Sequence, residues 1–245
     1  MPAVKPQRKT SVRLSQERRI SDIMAAARAV IAEKGYENAL MSEIAERAGV
    51  VEGSLYRYFE NRRDLLIKVA DDWFEEVLST DSGVASIHGT SNKLRHLIWR
   101  ALSTIRSQPA LSRFMLLELR PDPNYRASRS FELNRRFTAE VSQICVDAIQ
   151  AGEFRSDVSV SLLRDMIFGC IEHATWKFLR GEGDFSADQV ADGIATVIYR
   201  GMSNANSAPI SAESPPQLQG LVQRLEKAAA SLESLLEPAR KLRGE

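Results

Sequence analysis

Apolar residues recur along the chain at helical spacing, three and four residues apart, from Ile20 to Met202. Glycine marks several boundaries between the periodic stretches, as at Gly35, Gly49 and Gly152. The pattern predicts helices over residues 15–34, 41–48, 52–59, 62–79, 92–107, 109–119, 124–151, 159–180 and 186–202. The sequence therefore predicts an all-α fold.

Two of the predicted helices are short and are joined by one tight turn. The first carries apolar residues at Met41 and Ile44, and Gly49 ends it where a left-handed residue costs least. The second places Leu55 and Phe59 four residues apart, so both side chains point inward. This arrangement predicts a helix-turn-helix, whose second helix enters the major groove of DNA.

The same stretch resembles the TetR family of one-component repressors. The resemblance covers residues 16–69 and rests on Gly35-Tyr36-Glu37, Ile44-Ala45, Ala48-Gly49-Val50, Gly53-Ser54-Leu55-Tyr56, Tyr58-Phe59 and Asp64-Leu65-Leu66. It implies a three-helix DNA-binding domain followed by a helical domain that binds a small-molecule effector and forms a homodimer. The chain departs from the family at Ala39, Val51 and Glu52, where Thr, Ser and Lys are common, so the operator sequence does not follow.

Taken together, the pattern and the resemblance divide the chain into five parts. These are a basic flexible arm (1–14), a helix-turn-helix domain (15–62), a ligand-binding and dimerisation domain (63–202), a linker (203–216) and a C-terminal amphipathic helix (217–245). In the last part, Leu218, Leu225 and Leu232 stand seven residues apart, at coiled-coil spacing. That helix could fold back on the body or pair with a partner.

Charge changes the picture only at the N-terminus. The chain's net charge is +1, so the molecule as a whole is not a basic nucleic-acid binder. Residues 1–19 nevertheless hold six basic residues and one acidic residue, as expected of a DNA-facing end. The arm could follow phosphates or the minor groove, or it could be a plain disordered terminus.

DNA contacts are predicted for two sets of side chains. Base contacts are expected from Glu52, Ser54 and Arg57, because arginine binds guanine and glutamate accepts from cytosine. Phosphate contacts, which set the register, are expected from Tyr56, Tyr58, Arg62 and Arg63, the tyrosines by resemblance. Ser42, at the start of the first short helix, completes the predicted DNA-binding set. Core packing for Tyr58 and a solvent-facing position for Glu52 are the alternatives.

The C-terminal domain is predicted to hold an apolar pocket. Candidate lining residues are Trp73, Trp99, Leu102, Phe114, Met115, Glu118, Leu119, Phe137, Val141, Phe168 and Trp176. For each aromatic residue the alternative is ordinary core packing. Glu118 and Arg120 interrupt the most apolar helix, and a charge there requires a partner or a polar ligand group.

Three segments of this domain resemble the TetR-type regulators of fatty-acid degradation, whose effectors are long acyl-CoAs. They are Leu117-Glu118-Leu119-Arg120, Gly152-Glu153-Phe154-Arg155 and Met166-Ile167-Phe168-Gly169. An apolar tunnel beside Arg126, Arg129, Arg135 and Arg136 would suit an acyl chain with a phosphorylated head. The predicted effector is therefore a small apolar compound, with acyl-CoA or a fatty acid as candidates, unless these arginines only solvate a helix face.

The sequence gives little support for catalysis or for a metal or cofactor site. The acidic run at Asp71, Asp72, Glu75 and Glu76 is more typical of a solvated helix face than of paired catalytic carboxylates. His88, His96 and His173 lack the spacing of a helical metal site, and no phosphate-binding loop or nucleophile elbow appears. Cys145 and Cys170 are predicted to be buried free thiols. We therefore predict no enzyme activity, cofactor or metal.

The sequence thus predicts a homodimeric transcriptional repressor that binds a palindromic double-stranded DNA operator and is released by its effector. No run of apolar residues is long enough to span a membrane, and the basic N-terminus lacks the apolar stretch of a signal peptide. A cytoplasmic protein without a membrane partner is expected. The alternative is a helical adaptor that uses the C-terminal apolar seam, against which the basic arm and the tyrosine pair argue.

Overall fold

All regular elements of the computed structural model, which describes residues 7–204 and side chains from Gln16 onward, are helical. The α-helices are α1 (Gln7–Lys34), α2 (Met41–Arg47), α3 (Arg62–Ser79), α4 (Thr90–Ser107), α5 (Pro109–Phe114), α6 (Arg129–Gln150), α7 (Val160–Leu179) and α8 (Ala187–Met202). Short 3-10 helices lie at Glu52–Arg57, Val84–Ser86 and Tyr125–Ala127, and a π-helix lies at Met115–Leu119. The all-α prediction is confirmed. The predicted linker and C-terminal helix fall outside the described residues, apart from the first two linker residues.

The first helix begins at Gln7 rather than at residue 15, so the flexible-arm prediction is wrong for residues 7–14. That stretch contains neither glycine nor proline, and Pro6 directly precedes the first helical residue. Proline is tolerated at the start of a helix but not inside it, so the local sequence allows the helix to begin there. The rest of the predicted arm, residues 1–6, lies outside the described part of the chain.

Side-chain caps set other helix starts, including those of α3 and α6. Asn61 accepts a hydrogen bond from the backbone N–H of Asp64 at 2.9 Å, and α3 spans the predicted residues 62–79. Ser128 caps α6 in the same way through the N–H of Phe131 at 3.2 Å, which moves the start of this helix from the predicted 124 to Arg129.

Two hydrophobic cores hold the described helices together. The first joins α1, α2, the 3-10 helix at Glu52–Arg57, α3 and α5, and it includes Leu55, Trp73 and Phe114. The second joins α4, α6, α7 and α8, and Phe137 on α6 packs against both cores. The start of α3 therefore belongs to the core of the helix-turn-helix, and the described residues up to Met202 form one compact unit across the predicted boundary at 62. Within the described part of the chain, no helix has the length and apolarity to cross a membrane.

The π-helix interrupts what the sequence predicts as one helix over 109–119. Here the N–H of Arg120 donates to the carbonyl of Met115 at 3.1 Å, five residues back. Such a turn carries one more residue than an α-helical turn and is frequent at functional sites. Pro121 follows at once, so the chain leaves the helix there.

Candidate nucleic-acid interface and ligand cavity

The helix-turn-helix presents most of the predicted DNA contacts to solvent. Leu55 and Phe59 are fully buried and fix the 3-10 helix at Glu52–Arg57, hereafter the recognition helix, on the first core. Ser42, Glu52, Tyr56, Arg57 and Arg63 are exposed, and Ser54, Tyr58 and Arg62 are half-buried. Tyr56 is 51% exposed, and its hydroxyl donates to Glu52 Oε1 at 3.5 Å. Tyr58 is half-buried against the first core, the packing that the sequence left as an alternative.

Arg62 has a different role from the predicted phosphate contact. Its Nε donates to the carbonyl of Ala39 at 2.7 Å, and its Nη2 donates to the carbonyls of Tyr36 and Glu37, the latter at 3.0 Å. Three N–H groups of this guanidinium therefore hold the loop between α1 and α2 against the start of α3. The Arg62 side chain therefore positions the helix-turn-helix through hydrogen bonds inside the domain.

Arg63, which is predicted to contact phosphate, forms an ion pair inside the protein. Its Nη2 lies 2.8 Å from Asp122 Oδ2, and both side chains are partly exposed. The pKa of Asp122 is lowered, first by the backbone N–H of Asn124 and then by this guanidinium. The ion pair connects α3 to the loop that follows the π-helix.

Gly53 is a glycine that the fold itself does not require. Its backbone is not left-handed, and a Cβ placed on it would meet no atom within 4 Å. Glycine in such a position usually lowers stability relative to alanine, because the unfolded chain has more freedom to lose. It lies in the recognition helix between Glu52 and Tyr56, so the open space above it suits close approach by DNA.

We expect Gly53→Ala to stabilise the fold while it weakens DNA binding. The gain in unfolding free energy should be about 0.4–1 kcal/mol, measured by chemical denaturation. Affinity for a selected duplex should fall by about tenfold, measured by fluorescence anisotropy. Gly183→Ala, in the loop between α7 and α8, where an added Cβ would meet only the Lys177 side chain at 3.8 Å, is the matched control and should leave DNA affinity unchanged. Equal DNA affinity for Gly53→Ala and the parent would contradict close approach at this position.

An apolar cavity lies where the two cores meet. It contains about 630 Å³ of empty space, counted with its open side. The lining residues come from α3, α4, α5, the π-helix, α6 and α7: Trp73, Phe74, Ala101, Thr104, Ile105, Ser112, Met115, Leu116, Arg120, Tyr125, Asn134, Phe137, Phe168, Ile171 and Glu172.

One wall of this cavity is polar. Arg120 Nη1 lies 2.6 Å from Glu172 Oε2, and its Nη2 donates to Asn134 Oδ1 at 3.3 Å. Burial raises the pKa of the neighbouring Tyr125, while Arg120 acts in the opposite direction. The sequence predicted that a charge at Arg120 requires a partner or a polar ligand group. The Glu172 carboxylate on α7 is that partner.

A second, basic hollow lies next to this wall. This hollow shares five lining residues with the apolar cavity: Arg120, Tyr125, Asn134, Phe168 and Glu172. It extends past Arg126, Arg135 and Arg164, which together we call the arginine mouth. Arg126 and Arg135 are exposed and form no ion pair with any residue that the structure describes, whereas Arg164 pairs with Asp165 at 2.7 Å.

The other two arginines of the predicted cluster lie elsewhere. Arg129 forms ion pairs with Glu75 on α3 and with Glu132 on α6, so its charge is already paired. Arg136 lines a separate surface hollow with Arg100 and Glu140. The acidic residues of α3 also have partners within the protein. The Ser130 hydroxyl donates to Asp71 at 2.5 Å, and burial raises the pKa of Asp71.

The predicted pocket residues divide into three groups. Trp73, Met115, Phe137 and Phe168 line the cavity. Leu102, Phe114, Leu119 and Val141 are buried in the cores instead, and Glu118 bonds to Tyr36. The predicted positions of Trp99 and Trp176 are wrong, because these rings are 38% and 40% exposed on the outer faces of α4 and α7.

Sequence reasoning missed the polar wall of the cavity, although its signal was present. Asn134 lies three residues before Phe137 on α6, and Glu172 lies four residues after Phe168 on α7. Side chains at these spacings share a helix face, so each polar residue accompanies its aromatic neighbour into the cavity.

The segment of residues 113–122 touches both the cavity and the helix-turn-helix, and we call it the coupling segment. Met115 in this segment lines the cavity. On the opposite side, the Tyr36 hydroxyl donates to Glu118 Oε1 at 3.2 Å, and Arg113 lies 2.5 Å from Glu37. Burial raises the pKa of Tyr36 to about 12, with the nearby carboxylates acting in the same direction.

Two exposed features lie away from the cavity. An outward stripe on α7 carries Leu162, Met166 and Cys170 four residues apart, and Val197 on α8 is 71% exposed. The predicted burial of Cys170 is wrong for the described chain, whereas Cys145 is buried and its pKa is raised by burial to about 11. Within residues 7–204, no group of three or more metal-ligating side chains is placed to hold a metal ion.

Comparison with known families assigns both halves of the described chain. Residues 23–69 match the model for bacterial regulatory proteins of the tetR family. Residues 88–202 match the model for the tetracyclin repressor-like C-terminal domain. The chain belongs to the TetR family. Like other TetR proteins it is a DNA-binding transcriptional regulator, and the predicted family and function are confirmed.

Relatives within the TetR family include regulators of lipid metabolism. The chain is 26% identical over 183 residues to the fatty acid metabolism regulator protein of Bacillus subtilis, covering 74% of this chain and 94% of that protein. It is 22% identical over 196 residues to the transcriptional repressor KstR2 of Rhodococcus jostii, covering 77% and 93%. These relatives are transcriptional regulators rather than enzymes.

Solved structures show the same TetR fold. The crystal structure of FadR from Bacillus subtilis in complex with stearoyl-CoA aligns with a TM-score of 0.63 and 26% identity, covering 74% of this chain and 98% of that chain. FadR from Bacillus halodurans aligns with a TM-score of 0.61 and 24% identity over 74% and 98%. The family models end at Met202, so they do not extend to the apolar seam on which an adaptor function would depend.

Proposed function

We propose that this TetR-family protein is a transcriptional repressor whose effector is a long-chain acyl-CoA. The observation that carries the proposal is that the apolar cavity lies next to the arginine mouth, with five lining residues in common. One compartment suits a hydrocarbon chain and the other suits phosphate groups. An acyl-CoA combines both chemistries in one molecule.

The cavity provides for the acyl chain. Its deep part is lined by Trp73, Phe74, Met115 and Phe137, from which a chain can exclude water. Burial of each methylene group contributes about 0.8 kcal/mol, so affinity should rise with chain length until the cavity is full.

The mouth provides for the phosphorylated head. Arg126 and Arg135 have no ionic partner among the described residues, so they bind an anion without breaking an internal pair. Guanidinium groups bind phosphate oxygens through charge-assisted, often bidentate hydrogen bonds. The Arg120–Glu172 pair lines both compartments.

The relatives support this assignment. The FadR protein of Bacillus subtilis binds stearoyl-CoA in its crystal structure, and it shares the fold and 26% identity with this chain. The cavity here opens between elements that the two chains share. We infer the same class of effector for this protein.

The dimer and the operator follow from the exposed stripe on α7 and α8. Leu162, Met166 and Val197 are uncovered apolar side chains on two neighbouring helices, and a second copy of the chain would bury them. Two helix-turn-helix domains related by a two-fold axis bind a palindromic operator with half-sites about 34–36 Å apart or a multiple of it. A protein that acts on chromosomal DNA in bacteria works in the cytoplasm.

Release of DNA requires that the effector bind two states of the dimer unequally. A chain in the cavity contacts Met115 and Leu116, which belong to the coupling segment. The same segment holds Tyr36 and Glu37 of the helix-turn-helix. Displacement of the segment therefore moves the helix-turn-helix and changes the spacing of the two recognition helices.

A titration of the protein–operator complex with matched ligands tests this function. Stearoyl-CoA should release the DNA at micromolar concentration, whereas coenzyme A alone and stearate should each require at least tenfold more. Shorter acyl-CoAs should be progressively weaker. Release by coenzyme A alone would contradict a role for the apolar cavity, and equal potency of stearate would contradict a role for the arginine mouth.

A further inference from the structure

The start of the recognition helix carries an apolar side chain that the fold does not use. Val51 is the N-cap residue of this helix and is 74% exposed, the largest value among the exposed large hydrophobic residues of the described chain. The core beneath it is already closed by Leu55, which is fully buried. Within the described part of the chain, Val51 is not among the residues that pack on either hydrophobic core.

Valine at this position also leaves the helix without a side-chain cap. The Val51 side chain accepts no hydrogen bond from the backbone N–H groups at this helix start. A Ser, Thr, Asp or Asn side chain at the same position would accept one. The fold therefore gains neither burial nor capping from Val51. Both observations point to a partner outside the chain.

The neighbouring carboxylate indicates where that partner lies. Glu52 is exposed next to Val51, and a carboxylate is repelled by the phosphate backbone. The N-terminal residues of a recognition helix contact base edges, whereas phosphates are contacted by other elements. Val51 therefore faces the floor of the major groove, where the thymine C5-methyl group is the one apolar group available.

We propose that Val51 is a specificity-determining residue that packs on the C5-methyl group of a thymine in each operator half-site. This inference rests on the DNA-binding function and is independent of the effector. The contact favours thymine over cytosine at that position, because cytosine has no methyl group there.

The test uses deoxyuridine, which differs from thymidine only by the missing methyl group. An operator is first selected from random duplexes with the full-length protein. Each thymine of the half-site is then replaced by deoxyuridine in turn, and affinities are measured for the parent and for Val51→Ala. At one position the parent should lose about fourfold per half-site, or about 15-fold for both, the factor that corresponds to ~0.8 kcal/mol for one buried methyl-sized group.

The double-mutant cycle decides the assignment. Val51→Ala should bind the thymine operator about as weakly as the parent binds the deoxyuridine operator, and it should show no further loss with deoxyuridine. Val51→Thr, which keeps one methyl group, should retain part of the discrimination. Leu40→Ala, which changes another exposed apolar residue of the same domain, is the control. It should retain the full discrimination between thymine and deoxyuridine at this position.

Two results would overturn the proposal. One is an equal deoxyuridine penalty in the parent and in Val51→Ala at every thymine. The other is a selected operator that does not change when the selection is repeated with Val51→Ala. Failure of the parent to select any duplex would instead contradict the DNA-binding function itself, so the two failures are distinguishable.

Discussion

Replacement of Arg62 with alanine is expected to destabilise the protein by about 3 kcal/mol while the salt dependence of DNA binding stays unchanged. The guanidinium donates to three backbone carbonyls in the loop between α1 and α2. Hydrogen bonds from a charged donor contribute about 1.5–3 kcal/mol each, and the three are not additive because one side chain makes them all. Loss of the loop geometry should weaken binding to all duplexes.

Arg63→Ala is the matched control for that measurement. Its ion pair with Asp122 is partly exposed, so its removal should cost at most about 1 kcal/mol. Denaturant unfolding gives the stabilities, and DNA titrations at several salt concentrations give the slopes. If Arg62→Ala were as stable as the parent and its salt slope fell by about 0.9 per protomer, Arg62 would be a phosphate contact instead.

Removal of Arg126 and Arg135 together should weaken acyl-CoA binding by about 30-fold and leave stearate binding unchanged. Both side chains are exposed at the mouth, so the double variant should fold normally. The expected loss corresponds to ~2 kcal/mol, in the range of one charge-assisted contact. Isothermal titration with stearoyl-CoA and with stearate separates the effect on the head from the effect on the chain.

A neighbouring arginine supplies the charge-matched control. Arg136 follows Arg135 on α6 and lines a different hollow beside Glu140. Arg136→Ala should bind stearoyl-CoA like the parent, whereas Arg135→Ala alone should lose several-fold. Equal losses in the two single variants would mean that the arginines act only through net charge, and the mouth would then have no defined phosphate site.

Local features of the sequence predicted much of the fold. The bounds of α3 follow from the Asn61 cap and the apolar spacing that begins at Leu65. The helix-turn-helix follows from residues that are close together in the chain, such as Gly49 and Leu55. Those signals are local, so no knowledge of tertiary packing was needed.

The errors arose where distant helices decide the outcome. Arg62 was assigned to phosphate because its partners at Tyr36 and Ala39 lie more than twenty residues away. Trp99 and Trp176 were placed in the pocket because aromatic residues usually face a core, yet the way α4 and α7 pack leaves them outside. The π-helix was missed because residues 109–119 carry no glycine or internal proline that would mark a change of helical pitch.

The coupling segment has a consequence for how the effector specificity of this protein can evolve. The wall formed by Met115 and Leu116 is joined to Tyr36 and Glu37 of the helix-turn-helix, so a substitution there alters ligand preference and DNA affinity together. On the opposite wall, Glu172 of α7 pairs with Arg120 of the coupling segment, whereas Phe168 lines the cavity without a bond to that segment. Substitutions at Phe168 can therefore change which acyl chain fits while leaving the bonds between the coupling segment and the helix-turn-helix intact, and adaptation to new lipids should accumulate at that position.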